Sequence, residues 1–310
     1  LNDWLDLEHH LWRELQEQRL LPQKLLVGFS GGADSLALLW ALHRVKKTGL
    51  AAAYIHHGPG GNTSYRDQAE QFCRDFCERH QIPFFVQKYE GASLSSEAEL
   101  REFRHRSLEH LRKQTGSDLL ALAHHREDLL ETRILRLIRG TGPQGLVAMR
   151  VLQGTFFRPF LKISKKDLLV YLEKYALSAL EDPSNQDLHP LRNWLRQDWL
   201  RALEERQEGA LNSLGRSLEA LAEMGAVEEL PEGLVIDQGL SRSHFLAASS
   251  SQQKRALARL LLQEGVRNFS QAHLEEIQKR LDNSQKDFTF RVGGVEWVVN
   301  AQQIRVQKAE

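Results

Sequence analysis

The sequence predicts an α/β fold: a Rossmann-like parallel sheet with helices on both faces, then a helical segment and a small α+β C-terminal domain. Three observations predict it. Apolar runs at 25–29, 51–55, 84–86 and 119–123 alternate with helix-patterned stretches near 36–47, 64–80 and 97–114, the rhythm of βαβ units. Chemically active residue types gather where those runs end, the edge at which open parallel sheets bind ligands. The tail carries two β-rich runs, 288–292 and 295–299, joined by Gly293-Gly294, a hairpin signal. The expected divisions are a main domain over 1–190, a long helical linker over 191–226 and a small α+β module over 227–310.

The elements follow in order. Residues 1–20 read as an amphipathic helix ending at Leu21-Pro22, and Asp3, Asp6 and Glu8 near the start argue against a signal peptide. The first apolar run breaks into Ser30-Gly31-Gly32-Ala33-Asp34-Ser35. Two glycines let the backbone turn, and the free N–H groups of the helix behind them form a partly positive cradle for phosphate oxygens. Ser30 and Ser35 can add hydroxyl donors, and Asp34 can hold a magnesium ion that bridges the phosphates. No lysine stands where an ATPase loop would place one against a γ-phosphate, so the cradle suits a pyrophosphate that leaves. A capped helix after a glycine turn is the plainer alternative.

The second run ends at His56-His57-Gly58. Cys73 and Cys77, the chain's two cysteines, share a helix face and suit buried packing. They form no metal-ligand set or disulfide framework, and a reducing cytoplasm is the expected compartment. Arg101 and Arg104, three apart on the helix over 97–114, suit guanidinium forks that grip phosphate. The fourth run leads into His124-His125-Arg126-Glu127-Asp128-Leu129-Leu130-Glu131. His124 and His125 point to opposite sides of the strand end, and the carboxylates crowd one helix face. Such carboxylates can place magnesium or receive an ammonium group; capping the helix dipole is the simpler reading.

Net charge is zero, with 41 Lys+Arg against 41 Asp+Glu. Yet 132–166 holds Arg133, Arg136, Arg139, Arg150, Arg158, Lys162, Lys165 and Lys166 and no acidic residue. A one-signed stretch in a balanced chain points to a polyanion. Ser164 reads as a helix cap. No apolar run is long enough to span a bilayer, so no membrane partner is expected.

Together these residues resemble the PP-loop (N-type ATP pyrophosphatase) superfamily and, within it, the tRNA(Ile)-lysidine synthase family. The resemblance rests on Ser30–Ser35, His56-His57-Gly58, Glu97-Ala98 with Arg101 and Arg104, and His124-His125 with Asp128 and Glu131-Thr132. It continues through Arg139-Gly140-Thr141-Gly142, Arg158-Pro159, Glu181-Asp182-Pro183-Ser184-Asn185 and Arg192-Asn193 with Arg196. Three positions depart from the family pattern: Glu127 stands for an aspartate, Gly60 for an arginine and His105 for a tyrosine.

The resemblance implies a ligase that uses ATP and Mg2+. ATP adenylates the wobble cytidine of an isoleucine tRNA with a CAU anticodon, pyrophosphate leaves, and free L-lysine displaces AMP from C2. It makes 1–190 the ATP-binding catalytic domain and 227–310 the tRNA- or substrate-binding one, and leaves a homodimer open. It assigns catalysis to Asp34, Arg101, His125, Asp128 and Glu131, and nucleotide binding to Ser30–Ser35 and His56. Magnesium falls to Asp34 and Asp128, and tRNA to Arg104, Arg133, Arg136, Arg139, Arg192 and Arg196. Rival readings are a PP-loop cytidine thiolase, which wants more cysteines, amidating synthetases, which want a glutaminase segment ahead of Leu25, and a non-catalytic nucleotide sensor.

Overall fold

The computed structural model describes residues 4–46, 48–60, 62–91, 96–183, 190–226, 230–237, 239–266, 269–282 and 287–308. In chain order the first elements are α1 (Asp6–Glu17), β1 (Leu25–Gly28), α2 (Ala33–Val45), β2 (Leu50–His56), α3 (Thr63–Arg79) and β3 (Phe84–Lys88). Next come α4 (Glu97–Gln114), β4 (Leu119–Ala121), α5 (Arg126–Ile138), α6 (Pro143–Leu146), β5 (Leu152–Gln153), β6 (Phe156–Phe157) and α7 (Lys165–Lys174). Helix α8 (Leu191–Trp194), a π-helical turn over Leu195–Trp199, α9 (Leu200–Arg206) and α10 (Ala210–Ala226) follow. The tail is β7 (Val235–Ile236), β8 (Gly239–Ser241), α11 (Arg242–Ala247), α12 (Ser250–Gln263), α13 (Gln271–Asp282), β9 (Phe288–Val292), β10 (Val295–Val299) and β11 (Gln303–Lys308).

Two compact units divide the chain: 1–131 with 149–206, and 132–148 with 207–310. In the first, a six-stranded sheet has the order β3-β2-β1-β4-β6-β5. Every neighbouring pair is parallel except β5 with β6. β2 and β3 lie to one side of β1, β4 and β6 to the other, so the order reverses between β1 and β4. A crevice opens at the carboxyl ends of such a pair, because the connections leave it in opposite directions.

The strands are buried on both sides, which explains their continuous apolar runs. Leu25, Val27 and Phe29 face a core with α1, α2, α3 and α7, while Leu26, Ala51, Ala53 and Leu120 face Leu108 and Leu111 of α4. Ser96 and Ser164 start α4 and α7, each accepting from an N3 backbone N–H while the N3 acid accepts from the cap N–H. Cys73 and Cys77 are buried, as packing residues should be.

The second unit holds a five-stranded sheet, β7-β8-β11-β10-β9, antiparallel at every pair. Val292 pairs with Val295 across Gly293-Gly294. Both glycines have positive φ, 72° and 78°, the backbone that a two-residue hairpin with native twist requires. Trp297 is fully buried and stacks with Phe290 at 6.0 Å, under α12 and α13.

The division differs from the expected one. The stretch 191–226 is not one helical linker: Gln207–Gly209 interrupts it, Gly209 at φ 79°, and the unit boundary falls between 206 and 207 rather than at 190. Segment 132–148 goes with the second unit because α6 packs on α10. Arg133 and Arg136 tie that segment together, through Leu146 O (2.8 Å) and Gly145 O. Sequence periodicity sees only that both halves of 191–226 are helical. Among the described residues, no helix is long and apolar enough to cross a membrane.

Candidate active site

The loop after β1 sits at the crevice. Gly31 adopts φ 82°, and a Cβ there would meet Phe72, Cys73 and Leu180 at 3.3–3.5 Å, so glycine lets the chain turn tightly against α3. The Ser35 hydroxyl donates to Gly32 O at 2.9 Å and accepts from the Ser30 N–H at 3.1 Å, while the Ser30 hydroxyl meets it at 3.1 Å. The hydroxyls therefore brace the turn. Helix α2 begins behind it, and the N–H groups of Ala33, Asp34 and Ser35 have no intrahelical acceptor because they form its first turn. The cradle is thus backbone N–H, not serine hydroxyl.

A charged cluster faces the cradle across the β1–β4 crevice. His125, nearly buried, has Nδ1 2.9 Å from Glu127, and Nε2 3.4 Å from Asp128 and 3.8 Å from Asp34. The His125 N–H also donates to Asp128 at 3.1 Å. Burial works against protonating His125, but the Glu127 hydrogen bond and the carboxylates of Asp128 and Asp34 hold its pKa above the ordinary value. Burial would raise the Asp128 carboxyl, yet His125, its backbone N–H and Arg196 hold it below the usual aspartate range. Asp34 pairs with Lys165 Nζ at 2.6 Å, and the Lys165 N–H donates to Glu127 at 3.0 Å.

Glu131 lies deeper and is fully buried. One oxygen takes Arg196 Nε at 2.6 Å, the other takes Arg192 Nε at 3.0 Å and Arg196 Nη2 at 2.9 Å. Arg196 also reaches Asp128 at 2.9 Å. Arg192 and Arg196, expected on tRNA, thus turn inward to the carboxylates, because positions four apart share the helix face that meets α5.

Other expected residues are placed differently. His56 is fully buried; the Gly58 N–H donates to its Nδ1 at 3.0 Å, so its Nε2–H donates to Asp67 at 3.0 Å. Both ring nitrogens are engaged within the protein, and His56 orders the β2 loop. Arg133 is buried on Leu146 O and Glu219, and Arg136 bonds Gly145 O, so both guanidiniums serve the second unit's own packing. Arg139 is exposed, as are Arg101 and Arg104 on α4. Ser184 and Asn185 lie outside the described residues.

Lys165 enters the cluster although the sequence reading counts it only within the basic stretch, and Glu127 and Arg158, both quoted among the motifs, are given no site role there. A signal existed for Lys165. Two lysines in the first turn of a helix oppose its dipole, and so imply an anionic partner.

The family model of the PP-loop domain matches residues 7–203, and that of the TilS substrate binding domain matches 240–305. A tRNA(Ile)-lysidine synthase of Bdellovibrio bacteriovorus is 49% identical over 310 residues, covering 97% of each chain. The chain belongs to the tRNA(Ile)-lysidine synthase family. Within it, the synthases of Xanthomonas axonopodis pv. citri and Vibrio vulnificus (strain YJ016) are 32% and 34% identical. The matches cover 86% and 83% of this chain, and 63% and 60% of those longer synthases. Among solved structures, the U34-tRNA thiolase NcsA from Methanococcus maripaludis, with its [4Fe-4S] cluster, superposes with a TM-score of 0.57 at 20% identity, over 74% of this chain and 83% of that one. That likeness concerns the fold alone. This chain joins a PP-loop domain to a TilS substrate binding domain.

Proposed function

We propose that this chain is a cytoplasmic ligase that joins free L-lysine to C2 of the wobble cytidine of an isoleucine tRNA with a CAU anticodon, converting ATP to AMP and pyrophosphate. The observation that carries this reading is the meeting of two devices at one crevice. A backbone cradle whose own loop carries no lysine faces a carboxylate–histidine cluster, and Asp34 belongs to both. In the first step cytidine O2 attacks the α-phosphorus and the bond to pyrophosphate breaks. In the second the lysine ε-amine attacks C2, the C2–O bond breaks and AMP leaves, while the amine gives up a proton.

The residues divide this work. The N–H groups of Ala33, Asp34 and Ser35 hold the departing pyrophosphate. Asp34 and Asp128 both approach His125 Nε2, and two carboxylates beside a phosphate cradle fit the oxygen donors that Mg2+ takes together with nucleotide phosphates. Mg2+, when bound there, would neutralise charge on the pyrophosphate. Lys165, freed from Asp34 as nucleotide arrives, turns to phosphate. Asp128, kept ionised, receives the lysine ammonium. Either cation, Mg2+ or the ammonium, makes the His125 imidazolium less favourable, and a neutral His125 can accept the proton the amine must lose. Glu131 holds Arg192 and Arg196 in place, and Arg101, Arg104 and Arg139 remain exposed for RNA.

The thiolase reading is not favoured. Burial raises the Cys73 thiol and pushes the Cys77 thiol up to about 12, leaving no reactive thiolate. Asp34→Ala tests the proposal: AMP formation should fall by more than 100-fold with tRNA affinity unchanged within threefold. Loss of tRNA binding with AMP formation intact would refute the cradle.

A further inference from the structure

The sheet face covered by α4 ends in three polar residues that the steps above leave unused. Ala53 and Ile55 of β2, and Leu120 of β4, are buried against α4, with Leu122 and Phe156 packed beside them. Side chains alternate along a strand, so continuing each row by two residues reaches His57, His124 and Arg158 on that face. Each keeps a buried nitrogen with no hydrogen-bond partner among the described residues: His57 Nδ1, His124 Nδ1 and Arg158 Nε. Buried polar atoms are nearly always satisfied. Three such atoms at one sheet edge call for a partner from outside the chain.

The surroundings say which kind. Arg158 is only 7% exposed and lies over the Phe156 ring, 5.0 Å from its centre. Phe103 of α4 stands edge-on to His57 at 6.0 Å and to Tyr89 at 5.0 Å, and His105 meets Phe156 at 5.4 Å. The neighbouring side chains are flat and aromatic. Burial and the Arg104 charge lower the His57 pKa to about 4. Burial also lowers His124 to about 3, aided by Arg158 and Arg104 against the pull of Asp128. Arg158 supplies one buried N–H donor beside two imidazoles set between rings, while Arg101 and Arg104 act on these groups from the exposed side of α4. Flanking phosphates of an RNA would meet those two arginines, leaving the buried groups for the base. A planar, uncharged heterocycle with acceptors and donors on its edge matches the recess.

The geometry points to the α4-side recess as the seat of the extruded pyrimidine base, with Arg158 Nε–H donating to the base's acceptor edge and His124 accepting from its amino group. This rests on the reading of the chain as an enzyme acting on an RNA base, and names the residues that read the base.

Equilibrium binding tests it without turnover, using an anticodon stem-loop RNA with a CAU loop and the same RNA abasic at the wobble position. The wild-type protein should bind the intact RNA at least tenfold tighter. Arg158→Met should erase that preference by weakening the intact RNA alone, with abasic binding unchanged within twofold. His124→Asn, on a different strand, should cut the preference threefold or more, which guards against a folding defect in one variant. Equal weakening of both RNAs by Arg158→Met would reveal a backbone phosphate contact and overturn the inference. So would a preference that persists in both variants, or none in the wild type. Absence of lysine-dependent AMP release from the wild-type enzyme would instead strike the proposed function.

Discussion

Lys165 occupies the first position of α7, where a cation is disfavoured by the helix dipole, and its ion pair with Asp34 offsets that cost. Such a contact is ready to exchange one anion for another, and Lys165→Met should raise the KM for ATP about tenfold or more while leaving tRNA affinity unchanged. His125 supplies a pH signature. Its folded pKa lies above the unfolded value of 6.5, so its contribution to stability is complete below pH 6.5 and is lost as pH rises through the folded value. Thermal melts should show that decline in the wild type, and a flatter profile over the same window in His125→Gln. Glu131 is buried under two guanidinium groups. Glu131→Gln should cost about 1–3 kcal/mol in urea unfolding, the usual range when a buried charge-assisted hydrogen bond is broken.

At the scale of elements, the turn after β1 depends on glycine. Gly31→Ala forces an L-residue to φ 82° against Phe72 and should destabilise by about 1–2 kcal/mol, with a larger loss of ATP affinity if the cradle shifts. Urea melts and nucleotide titration separate the two effects. This turn was legible in the sequence, as were the four strands ahead of it and behind it and the Gly293-Gly294 hairpin, because apolar period and turn chemistry are local properties. The partners of Arg192, Arg196 and Lys165 were not. They meet carboxylates 61 to 131 residues away in the chain, and no local pattern distinguishes an arginine that faces RNA from one that folds back on Glu131. His56 shows a related limit: alternation places His56 and His57 on opposite faces, but only the fold shows that Asp67 waits on one of them.

At the scale of the whole chain, the acid-free stretch 132–166 proved to be several things at once. Arg133 and Arg136 tie α5 to α6, Arg158 lines the recess on the α4 side, and Lys165 belongs to the cradle; Arg139, Arg150, Lys162 and Lys166 remain exposed. A charge count sees one polyanion footprint where the fold spends half the charges on itself. Arg139→Glu should therefore lower the salt slope of tRNA binding by about one unit or more, since each phosphate contact contributes roughly 0.9. Arg133→Glu should instead lower stability, by breaking the link to Leu146 and Glu219. The PP-loop match over 7–203 takes in the first unit and the 132–148 segment of the second, and the substrate-binding match over 240–305 lies within the second. The most direct measurement follows ATP labelled at the α-phosphorus, incubated with the enzyme, tRNA and lysine. Label should accumulate in free AMP, with full turnover requiring both tRNA and lysine. Label released as ADP, or AMP formed at the same rate without tRNA, would contradict the account.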